Sequence, residues 1–178
     1  MLSSADDLKA SLLALKPTKD SSQGIKAFVG VIADFMSKIQ GGPLGTPGIL
    51  TFGSSAMEAI LMTMQPVSDS SWISKFADAF EAGLLTSIIT PGTITNPVWL
   101  GSGGLDILTL PSGAATIITI PVAKALLVSG LASVGPTSDA PLPLATAIRN
   151  AALALVFLAI GLGPPPTFIP TPIPTSAQ

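Results

Sequence analysis

The chain has 178 residues, of which 48% are apolar and only 10% are charged, and its formal net charge is −2. Ordinary soluble domains carry roughly 25% charged residues, so part of this surface must be covered by lipid, by a partner or by copies of the chain. Histidine, cysteine and tyrosine are absent, which excludes histidine and thiol catalysis, zinc–thiolate sites and disulfides.

Charged residues are concentrated in the first half of the chain. Residues 1–90 carry fourteen of them, and residues 91–178 carry four. If one half faces solvent and the other is buried in an assembly, we expect the charged half to lie outside. The lysines are scattered and Arg149 is the single arginine, so we expect no nucleic-acid partner, which would require clustered basic residues.

Four amphipathic helices are predicted in the charged half, over residues 4–15, 23–40, 55–65 and 71–90. The second has the strongest pattern, because its apolar residues recur every three or four positions: Ile25, Phe28, Val29, Ile32, Phe35, Met36 and Ile39. Asp34 and Lys38 form an i,i+4 pair on its polar face. In the fourth helix, Asp78 and Glu81 share a face that we expect to be solvated.

Helix caps are also visible in the sequence. Ser4 with Asp7, and Ser55 with Glu58, have the three-residue spacing of a capping box. Asp20 is placed to cap the second helix.

Glycine- and proline-rich loops separate these helices, and the loop over residues 43–53 contains an apolar extended segment, Ile49–Phe52. A longer loop begins at residue 91. It is followed by two β-branched runs, Leu105–Leu110 and Ala115–Ile120, on either side of Pro111-Ser112-Gly113. These runs predict a short β-hairpin near 105–120, although the second could instead lead into the next helix.

Two further helices are predicted, at about 121–133 and 143–162. Both are almost uncharged, so we expect them to be packed on all sides. The longest apolar run, Ala151–Gly163, has 13 residues, whereas a membrane span needs about 20. A buried core helix is therefore the better interpretation of that run.

The last 15 residues, PPPTFIPTPIPTSAQ, are too rich in proline for a helix or a central strand and predict an extended arm. Phe168, Ile169 and Ile173 would gain by burial, and proline lowers the entropy lost when an arm docks. We expect this arm to lie along a neighbouring subunit. Trp99 is a further candidate interface residue.

Together these elements predict a mainly α fold with about six helices, long Gly/Pro loops, a short β-hairpin and an extended C-terminal arm. Residues 1–163 would form a single helical domain, charged over residues 1–90 and apolar over residues 91–163, and residues 164–178 would form the arm. Segments 26–65 and 75–110 share a helix–loop–Gly-Ser order, which leaves an internal duplication open.

No arrangement of residues with catalytic chemistry is found. Without histidine or cysteine, a Ser-Lys dyad remains formally available, but neither of its usual nucleophile patterns is present. The acidic pair Asp6 and Asp7 suits the N-terminus of a helix. We therefore expect a protein that is not an enzyme and that holds no cofactor or metal.

The chain is rich in Ala, Gly, Thr, Ser and Pro, lacks Cys and His, and has long loops such as GGPLGTPGILTFG and a Pro/Thr arm. In these features it resembles small virion structural proteins of large tailed phages or contractile machines. The resemblance implies a structural subunit of a head, neck, tail or baseplate, located in the virion, with copies of itself and other structural proteins as partners.

Two other interpretations remain open at this point. The helices at 121–133 and 143–162 could insert into a membrane as a hairpin or lie at its surface, although flanking basic residues and aromatic belts are missing. Alternatively, the chain could bind a small apolar ligand between its helices.

Overall fold

The computed structural model describes residues 4–39, 45–46, 50–64, 71–89, 93–95, 107–109, 115–117, 119–132, 141–159 and 173–176. These residues are mainly helical, as the sequence predicts. Six helices lie within them: α1 Ala5–Leu13, α2 Ser21–Ser37, α3 Ser54–Thr63, α4 Ser71–Leu85, α5 Ile120–Leu131 and α6 Pro141–Leu153. The described strands are short: β1 Gly45–Thr46, β2 Leu50–Thr51, β3 Ile88–Ile89, β4 Thr93–Thr95, β5 Ile107–Thr109, β6 Ala115–Ile117, β7 Val156–Ala159 and β8 Ile173–Ser176.

The described helices pack in chain order, each against the next, and α6 closes the array by packing against α1. One continuous hydrophobic cluster fills the space between them, and all of these helices contribute to it. The charged and apolar halves of the sequence therefore share one core, because the N-terminal helix packs on the last one.

The predicted apolar stripe of α2 lies in this core. Val29, Ile32 and Met36 are fully buried, since residues three or four apart lie on one helix face. On the opposite face, Lys38 Nζ lies 3.2 Å from Asp34 Oδ2. Both predictions for this helix are confirmed.

The caps of the first two helices are also confirmed. The Asp7 backbone N–H donates to Ser4 Oγ at 3.1 Å, and the Ser4 backbone N–H donates to Asp7 Oδ2 at 3.0 Å. Hydrogen bonds from the Ser4 hydroxyl, chiefly, and the Ser4 backbone hold the pKa of the Asp7 carboxyl below its ordinary value. In α2, Asp20 Oδ1 accepts the Ser22 backbone N–H at 2.8 Å.

The capping box predicted for the third helix is wrong. The N-cap of α3 is Gly53, which has no side chain to cap the helix, and Ser55 is exposed. Gly53 is instead held by the end of α4, because its N–H donates to the Gly83 carbonyl at 3.1 Å. A contact between two helices has set the start of α3, and the local sequence contains no signal for it.

The helix ends predicted at residues 90 and 162 are wrong as well. The fourth helix ends at Leu85 and is followed by β3, which pairs with β2. The last helix ends at Leu153, and Val156–Ala159 forms β7. The Thr119 hydroxyl donates to the Ala154 carbonyl at 2.8 Å, satisfying one of the carbonyl groups that a helix end leaves without a partner. The apolar run Ala151–Gly163 therefore does not form one core helix.

Three small antiparallel sheets connect the helices in the described part of the chain: β1-β4-β5, β2-β3 and β6-β7-β8. The extended segment predicted within Ile49–Phe52 is confirmed by β2. Both predicted β-branched runs contain strands, but they do not pair with each other: β5 pairs with β4, and β6 pairs with β7. The hairpin prediction was wrong in its pairing, since strand propensity does not specify the partner. The second run leads into α5, which was the other interpretation.

The end of the predicted arm lies against its own chain. Residues Ile173–Ser176 form β8 and pair antiparallel with β7, with Ile173 opposite Ala159. The other end of the arm, and the Leu100-Gly101-Ser102 segment of the possible duplication, lie outside the described residues.

Candidate functional site

One surface feature that packing within the described part of the chain does not account for is the outer face of α5. Val122, Ala125, Leu126 and Ser129 are all exposed and lie at offsets of 0, 3, 4 and 7, which places them on one side of the helix. We call these four residues the outer stripe. Val122 is 52% exposed and Leu126 is 40% exposed.

The other side of α5 is buried in the core. Its inner stripe consists of residues spaced by three and four positions: Ile120, Ala123, Leu127 and Leu131. With about 100° between successive residues, Leu127 lies roughly 140° around the helix from Val122. The expectation that α5 is packed on all sides is not met within the described part of the chain, which covers only one of its two apolar faces.

Helix α6 shows the same property more weakly. Leu142 and Leu153, near its two ends, are more than one-third exposed, while Ala147, Ile148 and Ala151 between them are buried. The two helices lie close together at Gly130, where an added Cβ would lie 2.8 Å from the Ala147 Cβ.

A small ionic cluster fixes the orientation of α5. Lys124 Nζ lies 2.6 Å from Asp78 Oδ1 and 2.6 Å from Glu81 Oε2, both on α4. Hydrogen bonds to Asp78, first, and to Glu81 raise the pKa of Lys124. The prediction of a merely solvated face at Asp78 and Glu81 is wrong, since both carboxylates bind the lysine. Lys124 is the only charged residue of Ile120–Leu131, so the outer stripe contains no charge.

A second surface feature is a groove of about 420 Å³ at the start of α3. Hydroxyl-bearing residues line it together with Phe52 and Ile88: Thr51, Ser54, Ser55 and Thr86. Its wall is closely packed, because a Cβ on Gly53 would overlap the side chain of Thr86 and lie 2.7 Å from the Gly83 carbonyl oxygen. None of the lining residues is charged.

Of the four predicted interface residues, the structure describes only Ile173. Trp99, Phe168 and Ile169 lie outside the described residues. Ile173 belongs to β8 and pairs with Ala159. The sequence analysis did not identify the outer stripe, although the pattern was present. Val122 with Leu126, and Ala123 with Leu127, are apolar pairs spaced by four residues, and two such pairs predict two apolar faces on one helix.

Among the described residues, no cluster of three or more acidic residues that could hold a metal ion is found. Within the same residues, each buried side-chain nitrogen or oxygen has a hydrogen-bond partner. None of the described helices has the length and apolar character that crossing a membrane requires.

No known protein family, curated protein or solved structure matches this chain.

Proposed function

We propose that the chain is a non-enzymatic structural subunit of a large multi-subunit assembly, and that its partners are copies of itself and other structural proteins. The observation that carries this proposal is the outer stripe of α5, an uncharged apolar face on a helix that already buries its other face in the core. Isolated exposed apolar residues are ordinary, but a continuous stripe of this kind is typical of a surface that a partner covers.

Each exposed residue of the outer stripe would contribute only a small free energy of binding. Full burial of a valine or leucine contributes about 1.5–3 kcal/mol, so covering the part of Val122 or Leu126 that is still exposed contributes on the order of 1 kcal/mol each. A stable pairwise interface buries about 800 Å² on each partner, which is more than one four-residue stripe offers. The outer stripe alone is therefore too small for a stable dimer interface, so the proposal requires further contact surfaces on the same subunit.

The virion setting is part of the same proposal and is supported by composition. A low charge content, glycine- and proline-rich loops and a proline-rich C-terminal segment are the features in which the chain resembles small virion proteins of tailed phages or contractile machines. Quantitative mass spectrometry of purified particles from the source of the sequence tests this setting. A fixed copy number that survives high-salt washing supports it, and absence from such particles contradicts it.

The assembly itself is tested by expressing the full chain without detergent and measuring its mass by light scattering after size exclusion. We expect a large soluble oligomer. A double variant, Val122→Gln with Leu126→Gln, should lower that mass while the helical circular dichroism stays unchanged, because both side chains lie outside the core.

Leu13→Gln is the matched control. Leu13 is 63% exposed on α1, away from the outer stripe, so this variant should keep the wild-type mass. A wild-type monomer contradicts the proposed function. A large oligomer that the double variant leaves unchanged contradicts the role of the outer stripe.

The groove at the start of α3 supports a second candidate function, a module that binds a small ligand with an apolar body and hydroxyl-bonding groups. Its size lies in the range of small-molecule sites. A monomeric protein whose melting temperature rises with long-chain alcohols, and no longer rises after Ile88→Gln, would favour this function over assembly.

A further inference from the structure

The pairing of β8 with β7 is made by two segments that are far apart along the chain. Ala159 and Ile173 are direct partners in the ladder, yet residues 160–172, thirteen positions, lie between them. Hairpin connections usually have two to five residues. The sequence separation alone therefore does not force β8 onto the β7 of its own chain, where the structure places it.

The length of this connection is sufficient to reach a neighbouring copy. Five of its thirteen residues are proline, and a proline-rich chain can extend about 3.1 Å per residue, so thirteen residues reach roughly 40 Å. A compact domain of this size has a radius of gyration of about 16 Å, and hence a diameter of about the same 40 Å.

The sequence of β8 suits its position at the edge of the sheet. In the sheet order β6-β7-β8, β8 is at the edge, and it contains Pro174, opposite Leu158. Proline has no N–H to donate, so it is tolerated in edge strands and discourages the addition of a further strand. β8 can therefore complete the sheet of β7 without making the sheet open to further growth.

We propose that in the assembled protein β8 pairs with β7 of a neighbouring copy, so that each subunit donates its last strand to the next. This inference rests on the proposed assembly function and names its partner as a second copy of this chain. The backbone hydrogen bonds are the same within one chain and between two, so the local concentration of neighbours decides between them. An assembly supplies that concentration, and a connection of thirteen residues is long enough for the exchange.

Cysteine cross-linking tests the exchange with no background, because the chain has no cysteine. Val156 and Ser176 are direct partners in the β7–β8 ladder, and opposed strand residues lie within disulfide distance. Two differently tagged chains, one carrying Val156→Cys and the other Ser176→Cys, are co-expressed, purified as assembled oligomer and oxidised. We expect a covalent dimer containing both tags, and no dimer when either chain is present alone.

The matched control uses Thr116 and Leu158, which are partners in the β6–β7 ladder. Strands β6 and β7 are joined through α5 and α6 within the helix array, so the two single-cysteine chains should give no covalent dimer. The same two cysteines placed in one chain should form an internal disulfide, which verifies that oxidation works.

The outcomes separate the two proposals. If the oligomer forms but Val156→Cys and Ser176→Cys link only when placed in one chain, strand exchange is wrong while the assembly function stands. If these cysteines link in neither arrangement while the control does, the β7–β8 pairing itself is absent and exchange is again wrong. A monomeric wild type overturns the assembly function, and exchange with it. Deletion of residues 164–178 is a poorer test, since it also removes β8 from its own chain.

Discussion

The contact between Phe52, which lies just before α3, and Gly83 of α4 allows a quantitative prediction about a single added methyl group. Gly83 lies in α4 directly beneath the ring of Phe52, and a Cβ placed on it would overlap the ring, lying 2.7 and 2.9 Å from its two ε carbons. The ring is only 5% exposed, and on another side it contacts the ring of Phe80, with centroids 5.7 Å apart. Phe52 therefore cannot move aside without disturbing the core.

The expected cost of Gly83→Ala follows from two opposing effects. Inserting a methyl group into a well-packed core costs about 1–3 kcal/mol, and the enclosed ring places this site near the upper value. The higher helix propensity of alanine raises the free energy of unfolding by up to about 1 kcal/mol. We expect a net decrease of about 2 kcal/mol in the free energy of unfolding, and hence a melting temperature lower by about 4–8 °C for a domain of this length.

Gly30→Ala is the matched control, because Gly30 is an exposed position inside α2 and an added Cβ there would meet nothing within 4 Å. Only the gain in helix propensity applies, so this variant should melt about 2–4 °C higher than the wild type. Thermal unfolding followed by far-ultraviolet circular dichroism measures both changes.

A further variant separates steric overlap from other causes. Phe52→Leu in the Gly83→Ala background should recover part of the lost stability, giving a coupling of about 1 kcal/mol or more in a double-mutant cycle. A Gly83→Ala protein that is as stable as the wild type would refute the close packing described here.

Two other predictions concern ionisable groups. Lys124→Met should lower the free energy of unfolding at neutral pH by about 1 kcal/mol or less, because the pairs are partly solvated. Since the folded state raises the pKa of Lys124, its contribution is complete below the unfolded value of about 10.4 and is lost as the pH rises through the folded pKa. The difference in the free energy of unfolding between wild type and Lys124→Met, measured by urea denaturation, should therefore disappear toward high pH. A difference that persists there would contradict the role of the charged Lys124. Ser4→Ala should raise the pKa of Asp7 toward its ordinary value, because the hydroxyl group that lowers it is removed. Carbon-detected NMR titration of Asp7 checks this, and an unchanged pKa would contradict it. Because the wild-type pKa is lowered, the stability from this carboxylate is present above the unfolded value of about 3.9 and is lost as the pH falls through the folded pKa.

The amphipathic helices could be predicted because their information is local. The α2 stripe, the Ser4–Asp7 capping box and the Asp34–Lys38 pair each depend on spacings of three or four residues, and each is present in the structure. The candidate site was less accessible to sequence reasoning. A helix with two apolar faces can be buried on both, and only the packing of α4 and α6 around α5 shows which face is left uncovered.

The helical class, the helices with strong periodicity and their local caps can be inferred from the residues alone, because they arise from interactions within one or two helical turns. The ends of α4 and α6, the pairing of the strands and the binding of Lys124 to Asp78 and Glu81 emerge only in the folded chain. Each of these depends on residues distant along the chain, and neither propensity nor periodicity carries information about such partners. The same reason applies to the outer stripe of α5, whose exposure depends on the arrangement of its neighbouring helices.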